Sequence, residues 1–220
     1  MTEEVKQLLE DYFSAASNLY GLIPVRKLLG IYNSQNDPVT EEDFEEFLER
    51  FECKEGFYDI IGEDEIFDLD EPTPLLEYYL ASDYLLEDFD ELVEMMDYQS
   101  QFDYYIPKKE KLLRYKDDYF FEKPIEFIEL RAFLRNLPYL SKESADRIAS
   151  DAQVNLHMVR PVIYQAEMDD EFDFVIGWAV HQGFNADDKR NLKEFLRLAF
   201  ALNRNVRKHW YCGHTAVEVM

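Results

Sequence analysis

Three side chains that can bind a transition metal lie close together near the carboxyl terminus. They are His209, Cys212 and His214, in the segment HWYCGH. Imidazole nitrogen and thiolate sulfur are ligands of structural zinc, but such a site needs four ligands in tetrahedral arrangement. The sequence has no neighbouring CxxC or HxxxH to complete the set, and a catalytic thiol would also need an orienting group and a pocket. We therefore predict no cofactor, and zinc at these three residues is the alternative.

Motifs with well-understood chemistry are missing from the sequence. GxGxxG, GxxxxGK[ST], GxSxG and HExxH do not occur. The acidic groups at 63–65 and 169–173 lack the central glycine and the final Glu of a calcium loop. Only 7 glycines are present, whereas phosphate-binding loops depend on glycine conformations. The sequence thus assigns no catalytic residue and favours a protein that is not an enzyme. An enzyme or metal protein without a recognisable motif is the alternative.

Charge is distributed unevenly along the chain. Residues 1–105 hold 29 acidic and 5 basic side chains, whereas residues 106–220 hold 18 of each. The formal net charge of −24 therefore belongs to the first half. A surface of this sign repels nucleic acids and anionic membranes and attracts basic partners. Solubility alone is the other explanation for it.

Neither export nor membrane insertion is indicated. The segment MTEEVKQLLEDYF lacks the basic and apolar regions of a signal peptide. The longest apolar stretch, Phe172–Val180, is well short of the roughly 20 residues of a membrane span. Two cysteines, Cys53 and Cys212, are too few for a disulfide framework. We expect a soluble cytoplasmic protein with free thiols and no membrane contact.

The first 72 residues show the order of elements typical of a winged helix-turn-helix module. Apolar periodicity and helix-end signals predict three helices, which begin near Val5, Pro24 and Thr40. Residues 57–61 and 66–69 then predict two short strands that form a small β-hairpin.

The third predicted helix has an apolar stripe and an acidic face. Phe44, Phe47, Leu48 and Phe51 recur with helical spacing and should be buried. In a DNA-reading module this helix would enter the major groove, where affinity comes from Lys and Arg. Its acidic face instead predicts contact with a basic protein. The proposed contact residues are Glu41, Glu42, Glu45, Glu46 and Glu49.

Proline and charge divide the rest of the chain. Pro72-Thr73-Pro74 predicts a break, and residues 75–96 fit one bent helix or two short ones. Further helices are predicted near 124–136, 141–153, 158–168, 172–182 and 187–207. We predict a mainly α protein. Its parts are an acidic winged-helix-like module with a small β-hairpin (1–72), an acidic helical connector (73–106) and a helical domain forming a C-terminal bundle (107–220).

The last long predicted helix exposes basic side chains. With the residues that follow it, the set is Lys189, Arg190, Lys193, Arg197, Arg204, Arg207 and Lys208. Such a set can neutralise phosphates, so nucleic-acid binding through the C-terminal half is an alternative function. The favoured function is a non-enzymatic interaction or regulatory protein whose acidic N-terminal half engages a basic partner.

Three segments resemble a known group of proteins. They are SNLYGLIPVRKLLGIYNSQ (17–35), YYIPKKEKLLRYKDDYFFEKP (104–124) and LNRNVRKHWYCGHTAVEV (202–219). They are similar to uncharacterised bacterial proteins of Gram-positive type, some of which carry a cysteine-rich SEC-C zinc tail after the last segment. The cysteine cluster of that tail is absent from this sequence. The resemblance implies a bacterial cytoplasmic protein and no particular activity.

Overall fold

The computed structural model describes residues 1–51, 57–117, 119–159 and 168–220, and the side chains of all of these except 168–171. It is mainly helical. The helices are α1 (Glu3–Tyr20), α2 (Val25–Gln35), α3 (Glu41–Glu49), α4 (Glu63–Phe67), α5 (Asp83–Leu86), α6 (Phe89–Gln99), α7 (Lys109–Leu112), α8 (Ile125–Arg135), α9 (Lys142–Met158), α10 (Met168–His181), α11 (Lys189–Asn205) and α12 (Ala216–Val219). The strands are β1 (Leu22–Pro24), β2 (Tyr58–Ile61) and β3 (Tyr79–Ser82). Short 3-10 helices cover Leu75–Glu77, Leu113–Lys116 and His209–Tyr211.

The chain packs as two compact units, residues 1–120 and 121–220. Each has its own hydrophobic core. The division does not coincide with the boundaries predicted at 72 and 106. β3 lies beyond residue 72 but pairs with β1 and β2. The 3-10 helix Leu113–Lys116 packs along α1, and Asn18 Nδ2 donates a hydrogen bond of 2.9 Å to the carbonyl of Tyr115.

Local sequence signals set the ends of the first helices, as predicted. Gly21 ends α1 with a φ of 69°, a conformation that glycine adopts without steric penalty. Its N–H donates to the carbonyl of Ser17 at 2.9 Å. α2 begins directly after Pro24, whose fixed φ suits the first turn of a helix. Thr40 caps α3, because its hydroxyl accepts a hydrogen bond of 3.2 Å from the N–H of Asp43.

The three strands form an antiparallel sheet of order β1-β3-β2. Leu80 of β3 lies opposite Ile23 on one side and Ile60 on the other. The strand predicted over 66–69 is wrong, because α4 begins after Gly62 and ends at Phe67. The N–H of Gly62 donates to Glu65 Oε1 at 3.3 Å, which favours a helical turn there. The partner of β2 is β3, not residues 66–69.

The region 75–96 is only partly the helix that periodicity predicted. A 3-10 turn and β3 occupy its first part, and α5 and α6 follow. α6 is capped by Asp88, whose Oδ1 accepts hydrogen bonds of 3.1 Å from the N–H groups of Asp90 and Glu91. The period of the apolar residues does not distinguish a short buried strand from a helical turn.

The second unit is built around α8, α9 and α11, with α10 packed on α9. Leu130, Ile148, Phe195 and Leu202 are buried in its core. α11 is capped by Asp188, whose Oδ1 accepts hydrogen bonds of 3.1 Å from the N–H groups at positions 190 and 191. The helix predicted over 158–168 lies mostly outside the described residues. In the described part of the chain, no helix combines the length and apolar character needed to cross a bilayer.

Candidate functional site

The acidic face of α3 is produced by the burial of its opposite face. Phe44, Phe47 and Leu48 are buried, as their spacing predicted. The ring of Phe13 on α1 lies 6.1 Å from that of Phe44 and 5.7 Å from that of Phe47, centroid to centroid. Aromatic pairs at these separations stabilise beyond the apolar area they bury. The packing therefore fixes which face of α3 is turned to solvent.

The five glutamates predicted on this face are at the surface. Glu41, Glu42, Glu46 and Glu49 are exposed, and Glu45 is half-buried. Three acidic residues occupy the first turn of α3, where carboxylates interact favourably with the helix dipole. The acidic character of the face is thus compatible with the stability of the helix.

Two of these glutamates form ion pairs inside the first unit. Arg26 Nη1 lies 2.6 Å from Glu41 Oε1, and Arg26 Nη2 lies 3.0 Å from Glu77 Oε1. Glu46 pairs with Arg50 at 2.9 Å, one helical turn away. All of these side chains are roughly half exposed or more, so solvent and salt weaken the pairs. Within the residues that the structure describes, Glu42, Glu45 and Glu49 have no basic partner.

Negative charge accumulates elsewhere in the first unit as well. Burial, together with the nearby carboxylates of Asp59 and Glu87, raises the pKa of Asp83 above its ordinary value. Burial and two neighbouring carboxylates likewise raise the pKa of Glu91 on α6. A raised carboxyl pKa means that the surroundings disfavour the charged form. Around Asp83 and Glu91, burial is the main cause and neighbouring carboxylates add to it.

The predicted basic set divides into exposed and buried members. Lys189, Arg190, Lys193, Arg197 and Arg204 are exposed on α11. Arg207 is only 11% exposed and pairs with Glu122 at 3.2 Å and with Glu218 at 2.5 Å. Lys208 is fully buried and donates hydrogen bonds to the carbonyl of Leu156 and to Oδ1 of Asn203. The prediction that Arg207 and Lys208 share the basic surface is therefore wrong, because α11 ends at Asn205.

An open groove runs beside the basic face of α11 and encloses about 950 Å³. Its apolar lining consists of Phe133 on α8 and of Leu192, Leu196 and Phe200 on α11, all half-buried. The exposed basic residues Lys189, Arg190, Lys193 and Arg197 also line it. Leu192 and Leu196 lie at the edge of the core of the second unit, which the helical period alone does not show.

The C-terminal segment forms a tight buried turn. The 3-10 helix His209–Tyr211 leads to Cys212, whose φ is 51°, and to Gly213, whose φ is 80°. The carbonyl of Lys208 accepts from the N–H of Gly213 at 2.9 Å. Thr215 caps α12 in a capping box with Glu218.

The three candidate metal ligands belong to this turn. The Cys212 thiol is buried, and His214 Nδ1 lies 3.4 Å from Glu218 Oε2. The ring of His209 packs 4.2 Å from that of His157, centroid to centroid, a neighbour that sequence spacing could not reveal. No three His, Cys, Asp or Glu side chains of the described chain converge in an arrangement able to hold a metal ion. Cys53 lies outside the described residues.

Comparison of the chain with protein-family models, with curated proteins and with solved structures finds no match.

Proposed function

We propose that the protein is a non-enzymatic interaction or regulatory protein whose acidic first unit engages a basic partner protein. The contact is made by the outer face of α3. The observation that carries this proposal is the set of Glu42, Glu45 and Glu49, at the surface of one helix with no basic partner in the described part of the unit.

The arrangement of elements supports a winged-helix-like interpretation of the first unit. The order α1-β1-α2-α3-β2-α4-β3 places three helices before the last two strands of a small antiparallel sheet, with the short α4 between those strands, and α3 follows α2 as a recognition helix would. In DNA-binding relatives of this architecture, the recognition helix meets phosphates with basic and polar residues. In this protein α3 presents carboxylates instead. A partner that binds α3 in the way DNA binds a recognition helix must therefore be positively charged.

The charge of the whole unit supports the same partner. Residues 1–105 carry 29 acids and 5 bases, and neighbouring carboxylates add to the effect of burial in raising the pKa values of Asp83 and Glu91. Such a field accelerates the encounter with a cationic surface and repels polyanions. The long-range electrostatic interaction with this unit is therefore attractive for a basic protein and repulsive for a nucleic acid.

The experiment compares two sets of variants with equal charge change. E42Q/E45Q/E49Q removes the three carboxylates of α3 that have no basic partner among the described residues, and E87Q/D90N/D97N removes three exposed carboxylates of the α5–α6 region. Each variant and the wild-type chain are used to capture partners from the native cell. A basic protein captured by the wild type is then purified and titrated by calorimetry.

We expect the α3 variant to weaken binding by about tenfold, equivalent to about 1.4 kcal/mol, and the control variant to weaken it far less. Equal weakening by both variants would show attraction to net charge alone and would contradict docking on α3. Recovery of no basic partner would contradict the proposal as a whole.

Nucleic-acid binding through the second unit is the second candidate. It is supported by the exposed basic residues of α11, which are Lys189, Arg190, Lys193, Arg197 and Arg204. Arg207 and Lys208 do not contribute, because they pair with Glu122 and Asn203 inside the unit. Four of these cations also line the groove along α11, where a ligand other than nucleic acid can bind. An oligonucleotide is therefore tested there as a competing ligand. The third candidate, a metal protein or enzyme centred on His209, Cys212 and His214, would require stoichiometric zinc in the purified protein.

A further inference from the structure

We propose that the groove between α8 and α11 binds an acidic amphipathic peptide segment of a partner protein. The groove lies in the second unit, so this proposal is independent of docking on α3. The rim of the groove is formed by the basic side chains of Lys189, Arg190, Lys193 and Arg197. Its floor is formed by the apolar side chains of Phe133, Leu192, Leu196 and Phe200.

The rim carries cations at positions where a helix disfavours them. Lys189 and Arg190 form the first turn of a 17-residue helix, next to the positive end of its dipole. Lys193 follows one turn later. Among the residues that the structure describes, none of these three side chains forms an ion pair or a hydrogen bond. A local rule broken without a compensating contact is typical of a functional surface.

The floor is apolar and incompletely covered. Leu192, Leu196 and Phe200 recur at i, i+4 and i+8 on α11, and Phe133 faces them from α8. All four are half-buried, although their neighbours Phe195, Leu198 and Leu202 on α11 are fully packed in the core. The floor can therefore gain burial from a ligand without any rearrangement of the core.

Two parallel stripes specify the chemistry of the occupant. Lys189, Lys193 and Arg197 also recur at i, i+4 and i+8, shifted by three residues from the apolar stripe. A complementary ligand must carry apolar side chains beside carboxylates with the same period, which is the pattern of an acidic amphipathic helix in a groove. From residue 189 to residue 200 the groove extends about 17 Å, the length of about 11 helical residues.

An oligonucleotide satisfies only part of this surface. Its phosphates can neutralise the three lysine and arginine side chains of the first turns, but it offers no aliphatic stripe to the floor. Arg197 is already held by Glu194 through two hydrogen bonds of 3.0 and 2.8 Å, so the attraction to an anionic ligand comes from Lys189, Arg190 and Lys193. The apolar floor is the feature that favours a peptide over an oligonucleotide.

The probe is a fluorescein-labelled synthetic peptide of about 12 residues, helical, with Leu at i, i+4 and i+8 and Glu on the adjoining face. Its binding to the full chain is followed by fluorescence anisotropy. The test variant is K189Q/K193Q, and the matched control is K142Q/R147Q, which removes two exposed cations of α9 outside the groove. Circular dichroism establishes that all variants are folded.

We expect K189Q/K193Q to raise the dissociation constant about tenfold and the control to change it by less than about threefold. A peptide with its three Leu replaced by Ser should bind at least about tenfold more weakly to the wild type. Equal binding of the Ser peptide would overturn the proposal, since attraction would then be electrostatic only.

Other occupants are distinguished in the same assay. A single-stranded oligonucleotide that binds more tightly than the peptide, and loses affinity in K189Q/K193Q, would assign the groove to nucleic acid and overturn the peptide proposal. A wild-type dimer in sedimentation that K189Q/K193Q converts to monomer would assign the groove to a second copy of the chain. Either a groove occupied by a second copy or a peptide that does not bind at all would overturn the peptide proposal, whatever the result of the α3 experiment.

Discussion

Nζ of Lys208 donates a hydrogen bond to Oδ1 of Asn203, 2.6 Å away, inside the core of the second unit. The same ammonium group donates to the carbonyl of Leu156. Lysine is almost never fully buried unless its polar atoms are satisfied. The side chain therefore ties the end of α9 to the end of α11 and to the turn that follows it.

Replacement of this lysine should destabilise the second unit. We expect K208A to lower the free energy of unfolding by about 2–4 kcal/mol, because it leaves a cavity and removes the donor from a buried carbonyl. K208M preserves most of the volume and should recover part of the loss. Both tryptophans, Trp178 and Trp210, lie in this unit, so urea unfolding followed by tryptophan fluorescence measures the effect. K193A, at an exposed position, is the control and should change stability by less than about 0.5 kcal/mol.

Acid should destabilise the C-terminal turn through Glu218. Burial alone would raise the pKa of this carboxyl, but the hydrogen bond from the Thr215 backbone and the charge of Arg207 outweigh it, so its pKa lies below the ordinary 4.5. A lowered carboxyl pKa contributes stability above the unfolded value, and that contribution is lost as the pH falls through the folded value. Urea unfolding of the wild type and of E218Q should therefore differ at neutral pH, and the difference should shrink as the pH falls below 4.5. A constant difference at all pH values would contradict the ion-pair explanation.

The contribution of Asp83 to folding stability should depend on pH in the opposite direction to that of Glu218. Its pKa is raised, first by burial and then by Asp59 and Glu87. A raised carboxyl pKa reduces stability at neutral pH, and the loss is relieved as the pH falls through the folded value toward the ordinary one. D83N should therefore raise the thermal midpoint of the first unit by a small amount, corresponding to a few tenths of a kcal/mol, since the group is mostly solvated. D90N removes an exposed charge of the same unit and should change the midpoint less.

The N-cap of α3 should contribute measurably to the stability of the proposed docking helix. T40A removes the hydroxyl that accepts from the N–H of Asp43 and should cost about 1 kcal/mol. T40S keeps a hydroxyl at the same position and should be close to the wild type. Hydrogen exchange of the α3 amides reports the effect directly. If T40A and T40S exchange at the same rate, the cap is not what holds the first turn.

Helix ends and buried stripes could be predicted from the sequence because capping residues and apolar periodicity act within a single helix. α3 begins at Thr40 as predicted, and Phe44, Phe47 and Leu48 are buried. Each of these features depends on residues within one or two turns of the chain. The acidic face of α3 follows from the same local pattern, which is why its exposure could be predicted.

Strand pairing could not be predicted in the same way. β2 pairs with β3, about twenty residues further along the chain, and β1 pairs with the other edge of β3. Residues 66–69 resembled a strand because Ile66, Phe67 and Leu69 are apolar, but Phe67 and Leu69 are exposed. The hydrogen bonds that decide such pairings are made between distant segments, so sequence proximity favoured the wrong partner.

The sequence by itself determined the acidic first half, the helices with strong caps and the apolar stripes that bury them. Only the tertiary structure decided that Lys208 is a core residue, that Arg207 pairs with Glu122 and Glu218, and that Leu192 and Leu196 border a basic groove. The physical reason is that charge and periodicity describe one element at a time. The burial of a long polar side chain depends instead on hydrogen-bond partners that distant elements bring to it.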